Sequence, residues 1–305
     1  MAEAEELEQT LLTVRDWLRH AVSQFTRAGL VYGHGTASAL DEAAYLVLHT
    51  LHLPIDQLEP WLDARLTLAE RQALGAITAK RIATRKPAPY LTNEAWVQGH
   101  AFYVDERVIV PRSYIGELLG SGLSAVIANP EAVERVLDLC TGSGCLAILA
   151  ALAFPNAVVD ASDVSTDALA VAERNVGTYD LGERITLVRS DLFAELAGRK
   201  YDLILSNPPY VSAEVVAAFP PEYAAEPNIA HAGGEDGLDV VRRVVAECGR
   251  HLTEDGALVV EIGTGRDILE AEFPRLPFVW LDTADSEGEV FALAATDLDG
   301  RGSRE

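Results

Sequence analysis

Five short apolar runs recur between residues 135 and 262: RVLDLC (135–140), AVVDAS (157–162), RITLVR (184–189), YDLILS (201–206) and ALVVEI (257–262). Runs this short and apolar suit strands buried on both faces, and the stretches between them, such as CLAILAALAF and TDALAVAERNV, read as helices. Such alternation folds as a mainly parallel sheet with helices on both faces, an α/β architecture. The later segments FVWLDT and GEVFALAA have no convincing helix between them, so an antiparallel pair is expected to close the sheet.

Ahead of this region the pattern differs. Residues 1–85 read as a helical domain, in which LEQTLLTVRDWLRHAVSQF puts Leu11, Val14, Leu18, Val22 and Phe25 on one apolar stripe. ASALDEAAYLVLHTL and LTLAERQALGAITAKRIAT continue in kind, with Pro54 and Pro60 between them. Residues 86–112 lose the helical period and form a connector, with FYVDERVIV expected as a β-hairpin turning at Asp105-Glu106. The α/β domain then runs over 113–297, and the polar end, 298–305, is expected to fray.

With 305 residues and 49% hydrophobic content, the chain can bury a full-sized core. The sequence has no run of 18 apolar residues, which argues against a membrane span, and MAEAEELEQT is unlike a secretory signal. Three cysteines are too few for a disulfide framework or a zinc site, so a reducing cytosol is the expected location. His49 and His52 share a helical face without a third ligand and are read as surface residues; no metal is expected. The net charge of −23 disfavours nucleic acid and favours basic partners. One stretch opposes that trend: Arg65, Arg71, Lys80, Arg81, Arg85 and Lys86, within 65–86, are read as a solvated helix face, the only surface offering a nucleic-acid contact.

Ligands of open α/β sheets bind beyond the carboxyl ends of the strands. The first strand ends in Asp138-Leu-Cys140-Thr141-Gly142-Ser143-Gly144, whose glycines permit a tight turn and a close ligand. The second ends at Asp163, placed to accept two ribose hydroxyls, and the third at Asp191, placed to accept an adenine amino group. Gly142-x-Gly144-x-x-Ala147 also satisfies a dinucleotide fingerprint. Asp138, suited to a cationic amino-acid tail, favours S-adenosylmethionine instead.

The fourth strand ends in Asn207-Pro208-Pro209-Tyr210. The Asn207 side chain offers a carbonyl, and Pro208 keeps its backbone carbonyl while lacking an N–H. Two rigid acceptors can hold both hydrogens of a planar NH₂ group and direct its lone pair at a methyl donor. Tyr210 can stack on that group. A proline-rich turn with Asn207 bonded to its own backbone is the purely structural alternative.

Asp138-x-Cys-Thr-Gly-Ser-Gly, Asp163 and Asn207–Tyr210 resemble the class I S-adenosylmethionine-dependent methyltransferases that act on planar NH₂ groups, with a Rossmann-like seven-stranded sheet. The N-terminal helices and connector narrow the resemblance to protein-glutamine N5-methyltransferases. One branch modifies the Gly-Gly-Gln loop of release factors; the other modifies large-subunit ribosomal protein L-three. Tyr90–Trp96, Gly99–Val108, Val110–Ser113, Pro221–Tyr223, Glu226-Pro227 and Asp236–Val240 look like the second branch, and Pro-Arg-Ser-Tyr replaces the Pro-Arg-Pro-Asp of the first.

The resemblance implies cofactor contacts from Asp138, Cys140 through Gly144, Asp163, Asp191, Leu192 and Asn207, with S-adenosylhomocysteine as product. It implies a substrate amide at Asn207, Pro208, Pro209 and Tyr210, with Arg112 beside it; Asn207, Pro208 and Tyr210 would be catalytic. Leu192, followed by Phe193, stands where the family often has an aromatic over the adenine. Residues 211–235 are too long for an ordinary connection and are expected to line a protein-substrate groove. Methylation of a nucleic-acid amino group and a non-catalytic assembly factor are the remaining alternatives.

Overall fold

The computed structural model describes residues 2–298. The chain divides into two compact units, one running to Glu94 and taking in Phe219–Ala225, the other comprising Ala95–Ala218 and Glu226 onward.

The first unit is helical: α1 (Ala2–Thr10), α2 (Val14–Arg27), α3 (Ala39–Thr50), α4 (Leu68–Thr84) and α5 (Ala88–Thr92). The first expected stripe is broken at residues 11–13. Thr13 caps α2 in a capping box with Asp16, which satisfies end donors that a continuous helix would not leave open. Thr67 and Glu70 start α4 in the same way. Leu11, Val14, Leu18 and Phe25 are buried.

Arg81 corrects the reading of 65–86 as a solvated face. It is fully buried, with Nε 2.7 Å from Glu42 and Nη1 3.9 Å from Glu222. Arg85 binds Glu222 at 2.6 Å and the carbonyls of Ala28 and Gly29, while Arg71 donates to the Glu8 carbonyl. Three of the six cations are therefore spent inside the helical unit.

The expected hairpin at Asp105-Glu106 is also corrected. The two-stranded ribbon is β1 (Glu94–Val97) with β2 (His100–Tyr103), turning at Gln98-Gly99. Both turn residues have positive φ, 50° and 76°, as a twist-matched two-residue hairpin requires. Asp105 instead draws Arg107 N–H (3.0 Å) and the Arg107 guanidinium onto its carboxylate, which favours a local turn over strand pairing.

After α6 (Tyr114–Gly120) comes the alternating region: β3 (Arg135–Leu139), α7 (Cys145–Ala153), β4 (Val158–Asp163), α8 (Thr166–Thr178), β5 (Ile185–Arg189) and β6 (Tyr201–Ser206). It continues through α9 (Ala213–Ala217), α10 (Asp239–Glu247), β7 (Leu252–Glu261), α11 (Arg266–Glu272), β8 (Val279–Leu281) and β9 (Val290–Ala294). Ala295–Leu298 forms the short α12, so the start of the expected frayed end is helical; 299–305 lie outside the described residues.

The seven strands are ordered β5-β4-β3-β6-β7-β9-β8. The first five are parallel, and β9 runs antiparallel between β7 and β8. Side chains alternate between two cores. Val136, Leu203, Leu205 and Val259 pack with α7 on one face, and Leu137, Leu139, Ile204 and Val260 with α10 on the other. Burial on both faces explains why these strands read as continuous apolar runs.

Candidate active site

Strand order places the site. The chain winds outward from β3 to β5, then crosses back to lay β6 against the other side of β3. This reversal opens a crevice at the carboxyl ends of β3 and β6. Leu139 is in register with both Ser162 and Ser206, so Cys140, Asp163 and Asn207 leave the sheet side by side. A cavity there is lined by Cys140, Gly142, Asp163, Asp191, Leu192, Asn207 and Pro209. Asp138, Thr141, Ser143, Gly144, Arg112, Pro208 and Tyr210 are not on its wall.

The glycine loop reaches this crevice by unusual backbone. Cys140, Gly142 and Gly144 all have positive φ (61°, 54° and 80°). Gly144 has a second constraint, since a Cβ there would lie 3.1 Å from the Ala172 Cβ and 3.3 Å from its Cα. A Cβ on Gly142 would meet no protein atom within 4 Å, so the cavity wall is open at that point. Asp163 fixes the loop from the neighbouring strand: Oδ2 accepts from Gly142 N–H and Oδ1 from Ser165 N–H, both at 2.9 Å. Burial raises its pKa while these bonds work against the shift.

Asp138 lies beneath the loop. Its Oδ2 accepts from the Thr141 hydroxyl and from Ala147 N–H (3.0 Å), while buried Oδ1 has no hydrogen-bond partner. Complete burial pushes its pKa up to about 7. At the far wall, Asp191 pairs with Arg243 at 3.0 Å. Leu192 lines the cavity, whereas Phe193 turns into the core and stacks on His251 with centroids 4.6 Å apart. An aliphatic side chain therefore stands where an aromatic cover was sought.

The corner after β6 is held at both ends. Asn207 Nδ2 donates to the Arg112 carbonyl at 3.1 Å, leaving Oδ1 as the amide atom available to a ligand. The Tyr210 hydroxyl donates to Glu261 at 2.9 Å, and its ring sits 3.0 Å from where a Gly263 Cβ would be. The Arg112 guanidinium is engaged elsewhere, binding both oxygens of buried Glu226 at 2.8 and 2.9 Å. Its backbone carbonyl, rather than its side chain, reaches the candidate site.

The segment after the corner is structured. Val211 N–H bonds to the His231 carbonyl and Gly233 N–H to the Val211 carbonyl, both at 2.9 Å. A Cβ on Gly233 would lie 2.3 Å from the Gly237 oxygen and 2.8 Å from that of Pro209; one on Gly237 would lie 2.3 Å from the Tyr210 oxygen. These glycines let the turn lie directly on the backbone of the corner. Sequence reasoning missed Arg107, Ile229 and Arg243 on the cavity wall; Arg107 lies in the Gly99–Val108 stretch and Ile229 in 211–235, but nothing in the sequence marks these side chains as cavity residues.

A Gly-rich loop, two acids and an amide corner on one edge of this sheet define a methyltransferase fold. Residues 119–219 match the family described as Methyltransferase small domain. The hMettl16 catalytic domain superposes with a TM-score of 0.50 at 16% identity, covering 78% of this chain and 84% of that one, a likeness of fold alone. Much nearer in sequence is the ribosomal protein uL3 glutamine methyltransferase of Bradyrhizobium diazoefficiens, 57% identical over 295 residues, 95% of this chain and 92% of the relative. That of Burkholderia pseudomallei is 57% identical over 293 residues, 94% of this chain and 95% of the relative. The chain belongs to the family of ribosomal protein uL3 glutamine methyltransferases.

Proposed function

We propose that this protein transfers a methyl group from S-adenosylmethionine to the side-chain nitrogen of a glutamine in ribosomal protein uL3, in the cytosol. The observation that carries the reading is the set orientation of Asn207, whose Nδ2 is spent on the Arg112 carbonyl so that Oδ1 remains as acceptor. The substrate follows from kinship with relatives that bear this activity in their names.

The cavity fits the cofactor in its donor set. Asp163 keeps lone pairs that ribose hydroxyls can use, Asp191 beside Leu192 on the cavity wall is assigned to the adenine amino group, and the space over Gly142 admits a ligand close to the loop. Asp138 supports that loop from below through Thr141 and Ala147. When bound, the cofactor supplies an electrophilic sulfonium methyl and leaves as S-adenosylhomocysteine.

A carboxamide nitrogen is a poor nucleophile because its lone pair is delocalised. Asn207 Oδ1 and the Pro208 carbonyl accept its two N–H groups, hold the amide plane and aim the lone pair along one line. Attack on the sulfonium methyl would form the nitrogen–carbon bond as the carbon–sulfur bond broke, leaving the positive charge on the nitrogen. The same two oxygens stabilise that charge, each by about 2–4 kcal/mol if oxyanion-hole magnitudes hold with the sign reversed. The methylated cation then loses one proton to water. The helical unit is assigned to recognition of the basic protein substrate, towards which a net charge of −23 provides steering.

The test is methyl transfer from labelled cofactor to purified uL3, with mass spectrometry locating the label. A methyl on a glutamine nitrogen is expected, with Asn207→Ala lowering turnover about a hundredfold and leaving cofactor affinity near wild type. Label on another residue type, or full turnover by Asn207→Ala, would overturn the reading.

A further inference from the structure

The Asn207 corner is gripped at both ends through one buried carboxylate, Glu261, the last residue of β7. One Glu261 oxygen accepts from Tyr210 Oη at 2.9 Å. The other accepts from the Ser113 hydroxyl at 2.7 Å and from Tyr114 N–H at 2.9 Å. The peptide that Glu261 fixes at Ser113-Tyr114 follows immediately on Arg112, whose carbonyl sets the Asn207 amide. Ser113 is also the N-cap of α6, accepting from Ile115 N–H at 3.2 Å, so α6 depends on the same anchor.

We infer that Glu261 is a positioning residue that sets the orientation of the Asn207 amide, acting through Ser113-Tyr114 and the Arg112 carbonyl at one end and Tyr210 at the other. The inference rests on the reaction proposed above. Three donors converge on this carboxylate, and an ionised carboxylate is the side chain that accepts from all of them without donating. Burial raises its pKa, and the bonds from Ser113, Tyr210 and the Tyr114 backbone work against that shift. A glutamine fills the same space but puts an NH₂ donor where one of the acceptors was. The corner would then lose its fixed Asn207 rotamer while the cavity walls at Asp163 and Asp191 stay in place.

The experiment is a double-mutant cycle on methyl transfer to uL3, comparing wild type, Glu261→Gln, Asn207→Ala and the double variant, with cofactor Kd measured for each. The expected result is that Glu261→Gln lowers kcat about tenfold or more, leaves cofactor Kd within about threefold, and adds less than about twofold to the loss in Asn207→Ala. Equal losses in both backgrounds, or unchanged kcat in Glu261→Gln, would overturn the inference. Should Glu261→Gln fail to fold, Tyr210→Phe combined with Ser113→Ala removes two of the donors and is judged by the same criteria. If Asn207→Ala itself turns over normally, the reading of the reaction fails; if it is impaired while Glu261→Gln is not, only the positioning role fails.

Discussion

At Asp138, Cys140 and Gly144, a buried carboxyl and left-handed backbone together make the tight turn that follows β3. Gly144 combines positive φ with contact against α8, so Gly144→Ala should cost about 2 kcal/mol or more, seen as a lower denaturation midpoint. Asp138 carries a testable pH signature. Its carboxyl is raised from 3.8 to about 7 by burial, so the folded state holds a proton that the unfolded state releases. Its contribution to stability is complete below 3.8 and is lost as pH rises through about 7. Between those values the apoprotein should lose up to about 1.4 kcal/mol per pH unit from this group, and Asp138→Asn should abolish that slope in urea titrations. An unchanged slope in the variant would assign the proton elsewhere.

Among the elements, strand ends and the turn that covers them decide whether the corner is rigid. Gly237→Ala would drive a Cβ to 2.3 Å from the Tyr210 carbonyl, so the turn or the corner must move. Turnover should fall about tenfold or more with cofactor Kd little changed, since the wall at Asp163 is untouched; equal loss of both would show a wider folding defect. The parallel strands and the antiparallel closing pair were legible in sequence because burial on both faces leaves a long apolar signature. The hairpin was not, because the alternation in FYVDERVIV suggested pairing while Asp105 captured Arg107 locally. The true turn, Gln98-Gly99, lacks the Asn or Asp that usually announces it. In the site, Asn207 and Asp163 could be placed from strand ends alone. Arg243 and Ile229 could not, because only the folded path of residues 226–243 brings them to the cavity.

On the scale of the whole molecule, charge and chain path matter more than any single contact. The segment Phe219–Ala225 belongs to the helical unit, where Glu222 is fully buried against Arg81 and Arg85. Glu222→Ala leaves buried positive charge with only Glu42 to offset it, and should cost about 3–5 kcal/mol by denaturant titration. Deleting 214–222 would remove the same anchor, so it tests folding as well as substrate binding. Arg81 also shows why the basic stretch misled: charge along a helix looks solvated unless its buried partners, far away in sequence, are known. If the net charge of −23 steers the proposed basic substrate, kcat/KM for uL3 should fall about tenfold between 50 and 300 mM salt while cofactor Kd stays near constant.

The most direct test is a crystal structure with S-adenosylhomocysteine and a glutamine-bearing segment of uL3 bound. The account predicts the glutamine nitrogen about 2.7–3.2 Å from both Asn207 Oδ1 and the Pro208 carbonyl, with its lone-pair direction towards the cofactor sulfur. A carboxamide bound through its own oxygen, or seated away from Asn207, would contradict it.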